Sequence, residues 1–218
     1  MAIDVRTKDC AGLGDVEFAE MADLVAGSVG WEAGMLSKEA EEWVLASQAY
    51  EQDSLRGFML ATLERIGGTP ALVIGAASVA RTKQRAQIVK GLMHENYHKA
   101  LMAFPDEDVI VACRIVDPGP LDILSELSDV RPWPEQRANG EERAWGRRLS
   151  KRFGAVDFDD RTMIAVGDGE QLVFDHDSGN ASETSAVLDD CQTDAGQYVI
   201  AWGWAMAEFL EDFQKPAS

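Results

Sequence analysis

Residues 71–116 read ALVIGAASVARTKQRAQIVKGLMHENYHKALMAFPDEDVIVACRIV. The two ends, ALVIGAASVA and DVIVACRIV, are runs of small and β-branched apolar residues that suit buried strands. Between them Ile88, Val89, Leu92, Met93, Tyr97, Ala100, Leu101 and Phe104 recur at helical spacing on one broad face. Pro105 ends that face, because a proline cannot continue the hydrogen-bond ladder. The stretch therefore predicts a strand, a long helix and a second buried strand.

Working outward, GFMLATLE precedes RIGGTP, whose Gly-Gly and Pro chemistry predicts a hairpin turn into the first buried run. Further upstream, Phe18, Met21, Ala22, Leu24 and Val25 predict a helix over 15–27 capped by Asp15. SKEAEEWVLASQAY predicts a second helix, capped by Ser37, with Trp43, Val44 and Tyr50 as its apolar residues. Downstream, DPGPLDILSEL reads as a turn and a short helix, and DVRPWPE as extended chain. Asn139 and Glu142 make a capping box for a helix through Phe153, ended by Gly154. RTMIAVGDGEQLVFD predicts a second hairpin, DSGNASETS a polar loop, and YVIAWGWAMAEFLEDF a final helix. The economical organisation is one domain over 1–218, with a core over about 15–175 and a helical extension over about 183–214.

The 218 residues are 46% hydrophobic and carry a formal net charge of -18. So negative a chain is ill suited to nucleic acid and to anionic membranes. No apolar run is long enough to cross a bilayer. The opening MAIDVRTKDC lacks a signal-peptide core, and Cys10, Cys113 and Cys191 form no paired framework, so a reducing cytoplasm is the expected setting. The cations are clustered. Residues 81–99 hold Arg81, Lys83, Arg85, Lys90 and Lys99 against Glu95 alone, and residues 143–152 hold Arg143, Arg147, Arg148, Lys151 and Arg152 with no acid. Two basic islands in an acidic chain point either to a local anion site or to two solvated helix faces.

The motif with the sharpest chemistry is His94-Glu95-x-x-His98. Two imidazoles four residues apart can share one zinc ion, with the glutamate polarising a metal-bound water. Against this, both histidines fall opposite the apolar stripe beside Lys90 and Lys99, and no recognisable third ligand accompanies them. No metal is expected, and a zinc hydrolase stands as an alternative reading. His176, in the DHD of 175–177, reads as a strand ending in a loop.

The order of elements from the first hairpin through ACRIVDPGPLDIL to VRPWP, roughly residues 55–135, resembles the GNAT superfamily of N-acyltransferases. The resemblance implies an α/β (α+β) fold, a GNAT-like mixed central sheet flanked by helices, here with an extra C-terminal hairpin and helix. It also implies a donor, acyl-CoA or the thioester of an acyl carrier protein, and a small amine as acceptor. The family grips the donor pyrophosphate with an R/Q-x-x-G-x-G/A loop before the long helix, where bare amides and the helix dipole favour anions. Arg85 takes the first motif position, while Ile88 and Lys90 stand where glycine and glycine or alanine are expected. The implied donor-binding set is Val79, Arg81, Lys83, Arg85, Ala86, Gln87, Val89 and Lys90, with side-chain cations replacing a backbone nest.

No catalytic base or acid transfers: LVIGAASVA has no acid and PGPLDILSEL no tyrosine. Cys113 reads as packing. The helix ERAWGRRLSKR either docks an acidic carrier protein or turns Trp145, Leu149 and Phe153 to the core. The aromatic C-terminal segment either closes the core or offers a dimer seam. A non-catalytic binding module on the same scaffold is the third functional reading.

Overall fold

The computed structural model describes residues 3–168, 172–176 and 183–216. In chain order the elements are β1 (Asp4–Asp9), α1 (Asp15–Val25), α2 (Ala33–Ala40), β2 (Leu45–Glu51), β3 (Ser54–Ile66), β4 (Thr69–Val79), α3 (Arg85–Ala103) and β5 (Val109–Ile115). They continue with α4 (Gly119–Leu124), β6 (Ser128–Arg131), α5 (Gly140–Arg152), β7 (Asp157–Asp159), β8 (Ile164–Val166), β9 (Phe174–Asp175), β10 (Gln197–Ala205) and α6 (Ala207–Glu211).

The hairpin turn forms as expected. Gly67 and Gly68 have φ of 61° and 92°, and Ile66 pairs with Thr69. Two consecutive left-handed residues match the twist of the strands they join, and glycine adopts them without a Cβ clash. The sheet order is β1-β2-β3-β4-β5-β10-β8-β7, with β6 on β10 and β9 on β4. Its pairs are antiparallel except β4·β5 and β4·β9, so the sheet is mixed. Helix α3 is the crossover between parallel β4 and β5, as that connection requires.

Both faces of the sheet are covered. One core packs α3, α4 and α6 residues such as Leu92, Leu121 and Leu210 onto Leu72, Val111 and Val199. The other packs α1, α2 and α5 residues such as Met21, Leu36 and Leu149 onto Leu60, Val73 and Ile200. Burying each large aliphatic side chain contributes about 1.5–3 kcal/mol, which is why the two-sided sheet dominates the fold.

The structure corrects several expectations. Residues 197–205 are strand β10, not the start of a helix, and among the described residues of the expected extension only Ala207–Glu211 is α-helical. Tyr198 and Trp202 face one core, and Val199 and Ala201 the other. A spacing of four satisfies a helical period and also two strand periods, so the aromatic pattern did not discriminate. The second hairpin is not one either. Strand β8 pairs with β7 and β10, and β9 leaves to pair with β4. The expected polar loop falls largely on 177–182, outside the described residues, and Glu183–Leu188 forms a 3-10 helix. SKEAEEWVLASQAY divides between the end of α2 and strand β2. Helix α1 is capped at Gly14, with Asp15 inside its first turn. Strand β1, which pairs with β2 along the sheet edge, had no sequence signal.

Candidate functional site

Strands β4 and β5 stay together only from Ala71↔Ile110 to Ile74↔Cys113. Beyond that point β4 bulges between Ile74 and Ala76 against β3, and the two strands part. The bulge residue has to be small. A Cβ on Gly75 would lie 1.9 Å from Cε2 of Trp43, whose indole fills that space. The bulge carbonyl is held from β5: Arg114 Nη2 donates to Gly75 O at 3.1 Å and to Glu39 Oε1 at 2.6 Å. The buried Arg114 guanidinium also lies against the rings of Phe153 and Tyr198. The fork is therefore a built feature, braced by a buried ion pair.

Past the fork, Val79 ends β4 and the connection runs through Ala80–Gln84 into α3. Arg85, expected in a loop, opens the helix, and Ala86 and Gln87 lie exposed in its first turn. Arg81, Lys83 and Lys90 are exposed as well. This end of α3 thus presents cations beside amides that have no intrahelical acceptor, an arrangement favouring anions. Ile88 and Val89 are fully buried and cannot touch a ligand there. The bulk of Ile88 is accommodated across the interface: a Cβ on Gly57 of β3 would stand 2.7 Å from Ile88 Cγ2. The small residue sits on the strand instead of on the helix.

The gap of the fork is filled by the chain itself. Strand β9 runs parallel to β4, with Phe174 opposite Ala77 and Asp175 opposite Ser78. Ala77 N–H donates to Val173 O at 3.1 Å. Asp175 is buried and accepts from Ser78 Oγ at 3.0 Å and from Arg81 Nη2 at 3.1 Å. Phe174 enters the core under α3 and α4, whereas Leu172 and Val173 join the core on the opposite face. Sequence reasoning missed this contact, since two residues of strand pairing across 97 positions leave no local pattern.

Beside the fork lies a cleft of about 850 Å³ lined by Trp31, Met35, Val116, Val173, Asp194 and Tyr198, among others. It gathers the α1–α2 connection, the end of β5, the approach to β9 and the start of β10. Burial pushes the Tyr198 hydroxyl above its ordinary value. Asp194 supplies a carboxylate to a wall that also holds the polar residues Ser28, Thr193 and Gln197.

His94 and His98 lie elsewhere, on the outer side of α3. His94 Nε2 is 2.8 Å from Lys215 O, and His98 Nδ1 is 2.8 Å from Phe213 O. Each imidazole holds the C-terminal segment, and the Phe213 ring packs edge-on to His94. Glu95 is buried and pairs with Lys99 at 3.4 Å. Among the described residues, no three His, Cys, Asp or Glu side chains converge as a metal site. The basic face of α5 is engaged too: Arg147 and Arg143 pair with Asp160, Arg152 with Glu64, and Arg148 lies over Trp145. Trp145, Leu149 and Phe153 turn inward. No described helix is long and apolar enough to cross a membrane.

The mixed central sheet, the strand–helix–strand order through α3 and the helices on both faces agree with what the GNAT resemblance implied. The fold is a mixed α/β sheet covered by helices on both faces. No family model matches the sequence, and no curated protein does. Solved structures similar to this chain include a ribosomal-protein-alanine N-acetyltransferase from Brucella melitensis biovar Abortus 2308, at 16% identity and TM-score 0.47, over 64% of this chain and 99% of that one. An IAA acetyltransferase from Bacillus cereus ATCC 14579 is similar at 10% identity and TM-score 0.46, over 94% and 100%. The aminoglycoside 6'-N-acetyltransferase from Enterococcus faecium is similar at 20% identity and TM-score 0.40, and this chain spans 52% of its own length and 64% of that enzyme's.

Proposed function

We propose that the protein is an N-acyltransferase that moves an acyl group from a thioester, acyl-CoA or acyl carrier protein, to a small amine. The observation that carries this is the position of the β4–β5 fork. It opens between a cation-bearing helix start, with Arg81, Lys83 and Arg85, and the cleft lined by Asp194 and Tyr198. An anionic diphosphate suits the first, and an ammonium group suits the second.

The donor brings an activated carbonyl. The amine nitrogen bonds to it as the carbon–sulfur bond breaks, and the proton lost by nitrogen ends on the departing sulfur. The chain's contribution is position: holding both partners at one end of the sheet supplies the proximity such a reaction needs. No side chain is assigned as base, and a water relay to solvent serves that need.

Val79, Arg81, Lys83, Arg85, Ala86 and Gln87 border the proposed donor path, with Lys90 one turn further along α3 and the buried Val89 supporting it. Thiol release from acetyl-CoA and longer acyl-CoA, measured with a panel of small amines, tests the reading. Amine-dependent release is expected. Failure of every acyl-CoA and of a charged acyl carrier protein to bind in titration calorimetry would end it.

A second reading, a non-catalytic binding module, is favoured by β9 lying in the fork. It predicts that an amine binds the cleft without any thiol release.

A further inference from the structure

Resting on that donor reading, we infer that residues 172–176 are a resident competitor of the donor: a strap that occupies the β4 edge and must leave before the thioester can lie there. Three observations place the strap in a prepared seat. Its backbone takes the Ala77 N–H past the bulge, the group an extended amide-bearing chain would use. Its carboxylate at Asp175 takes Ser78 Oγ and Arg81 Nη2, so an anion already sits against a cation proposed for phosphate. At the far end, a Cβ on Gly119 would lie 1.5 Å from His176 O, so the start of α4 leaves room for this backbone. Strand pairing, an anion contact and a glycine seat thus converge on one short segment.

The strap also divides the proposed site. Val173 lines the cleft while its carbonyl is bound to β4, so the segment stands between the cleft and the β4 edge. Its departure would join the two spaces and bring an amine within reach of a thioester. Apparent donor affinity is then reduced by the fraction of molecules with the strap seated. Whatever weakens the seat raises that affinity.

Two variants weaken it at opposite ends. Asp175→Asn removes the charge that holds Arg81, and Gly119→Ala pushes on the His176 carbonyl. Acetyl-CoA affinity is measured by calorimetry for wild type and both variants. Hydrogen exchange of the 172–176 amides is followed with and without saturating acetyl-CoA. The expected result is affinity about tenfold tighter in Asp175→Asn, the loss of one charge-assisted contact, and a gain of the same sign in Gly119→Ala. In wild type, the same amides should exchange faster once acetyl-CoA is bound. If acetyl-CoA binds wild type while these amides stay protected, and neither variant binds more tightly, the strap does not compete, and the acyltransferase reading survives alone. If the variants expose these amides yet bind no acetyl-CoA, the inference and the donor reading fall together. Should a variant not fold, the wild-type exchange measurement decides.

Discussion

His98 Nδ1 lies 2.8 Å from the carbonyl oxygen of Phe213, which ties the middle of α3 to the end of the chain. The Phe213 ring centroid lies 5.0 Å from those of both His94, edge-on, and Tyr97, tilted, and Phe209 joins the cluster. The histidine pair of the HExxH stretch is thus a clamp for the C-terminal segment. Phe213→Ala should lower unfolding free energy by about 1–3 kcal/mol, since the ring is only partly buried. His98→Ala should lower it by about 1 kcal/mol, the net worth of one hydrogen bond. A chelator should leave the thermal midpoint of the wild type unchanged. A chelator-induced drop of many degrees would restore the metal reading.

Gly57 and Ile88 form the second testable pair. A methyl group on Gly57 would meet Ile88 Cγ2 at 2.7 Å and Val79 Cγ1 at 2.9 Å, in a layer with no room to yield. Gly57→Ala should destabilise by about 1–3 kcal/mol through overpacking. Ile88→Ala alone should cost about 2–5 kcal/mol through the cavity it leaves. Combined, the added methyl occupies part of that cavity, so the double variant should be more stable than the sum of the single losses implies. Strict additivity in chemical denaturation would refute the contact.

What the sequence disclosed, and what it withheld, follows from the range of the interactions. The β3–β4 hairpin, α3, β5 and α5 each carry their own signal: Gly67-Gly68, the Ile88-to-Phe104 stripe, the Val109–Ile115 run, and the Asn139–Glu142 box. Strand β10 is buried on both faces, so it lacks alternation, and its aromatics are spaced by a number common to both periods. Edge strand β1, DVRTKD, is too charged to read as a strand. The cations from Arg81 to Lys90 were visible, but the partner of Arg81 was not. Asp175 reaches it only through a fold-dependent pairing, and the cleft is assembled from five separated segments.

Alkaline pH gives a third test. The Cys10 thiol is pushed up from its ordinary 9.0 to about 12, first by burial and then by the nearby Asp9 carboxylate. Burial likewise pushes up the Cys113 thiol and the Tyr97 hydroxyl. These groups are acids whose folded values are raised, so folding favours their neutral forms. Their contribution is complete below about pH 9 and is lost as pH climbs toward the folded values. The denaturation midpoint should therefore fall between about pH 8.5 and pH 11, and Cys10→Ala should make that fall shallower. An unchanged slope in Cys10→Ala would show that the thiol titrates normally in the folded protein.

The Glu39–Arg114 pair at the fork predicts an asymmetry. Arg114 is 3% exposed in its side chain, whereas Glu39 is 22% exposed. Removing the carboxylate takes the Glu39 countercharge from a guanidinium buried among Trp43, Phe153 and Tyr198, where water reaches it poorly. Removing the guanidinium leaves a carboxylate that solvent can still reach and that keeps the Trp43 Nε1 donor at 3.1 Å. Glu39→Ala should thus cost about 3–5 kcal/mol, the range for breaking a buried ion pair by removing one partner. Arg114→Met, which retains much of the packing volume, should cost less, although it also releases the Gly75 carbonyl from its donor. Equilibrium unfolding of the two variants under one set of conditions gives the comparison. Equal losses, or a larger loss for Arg114→Met, would mean that the hydrogen bond to the bulge, rather than the desolvated charge, governs the stability of the fork.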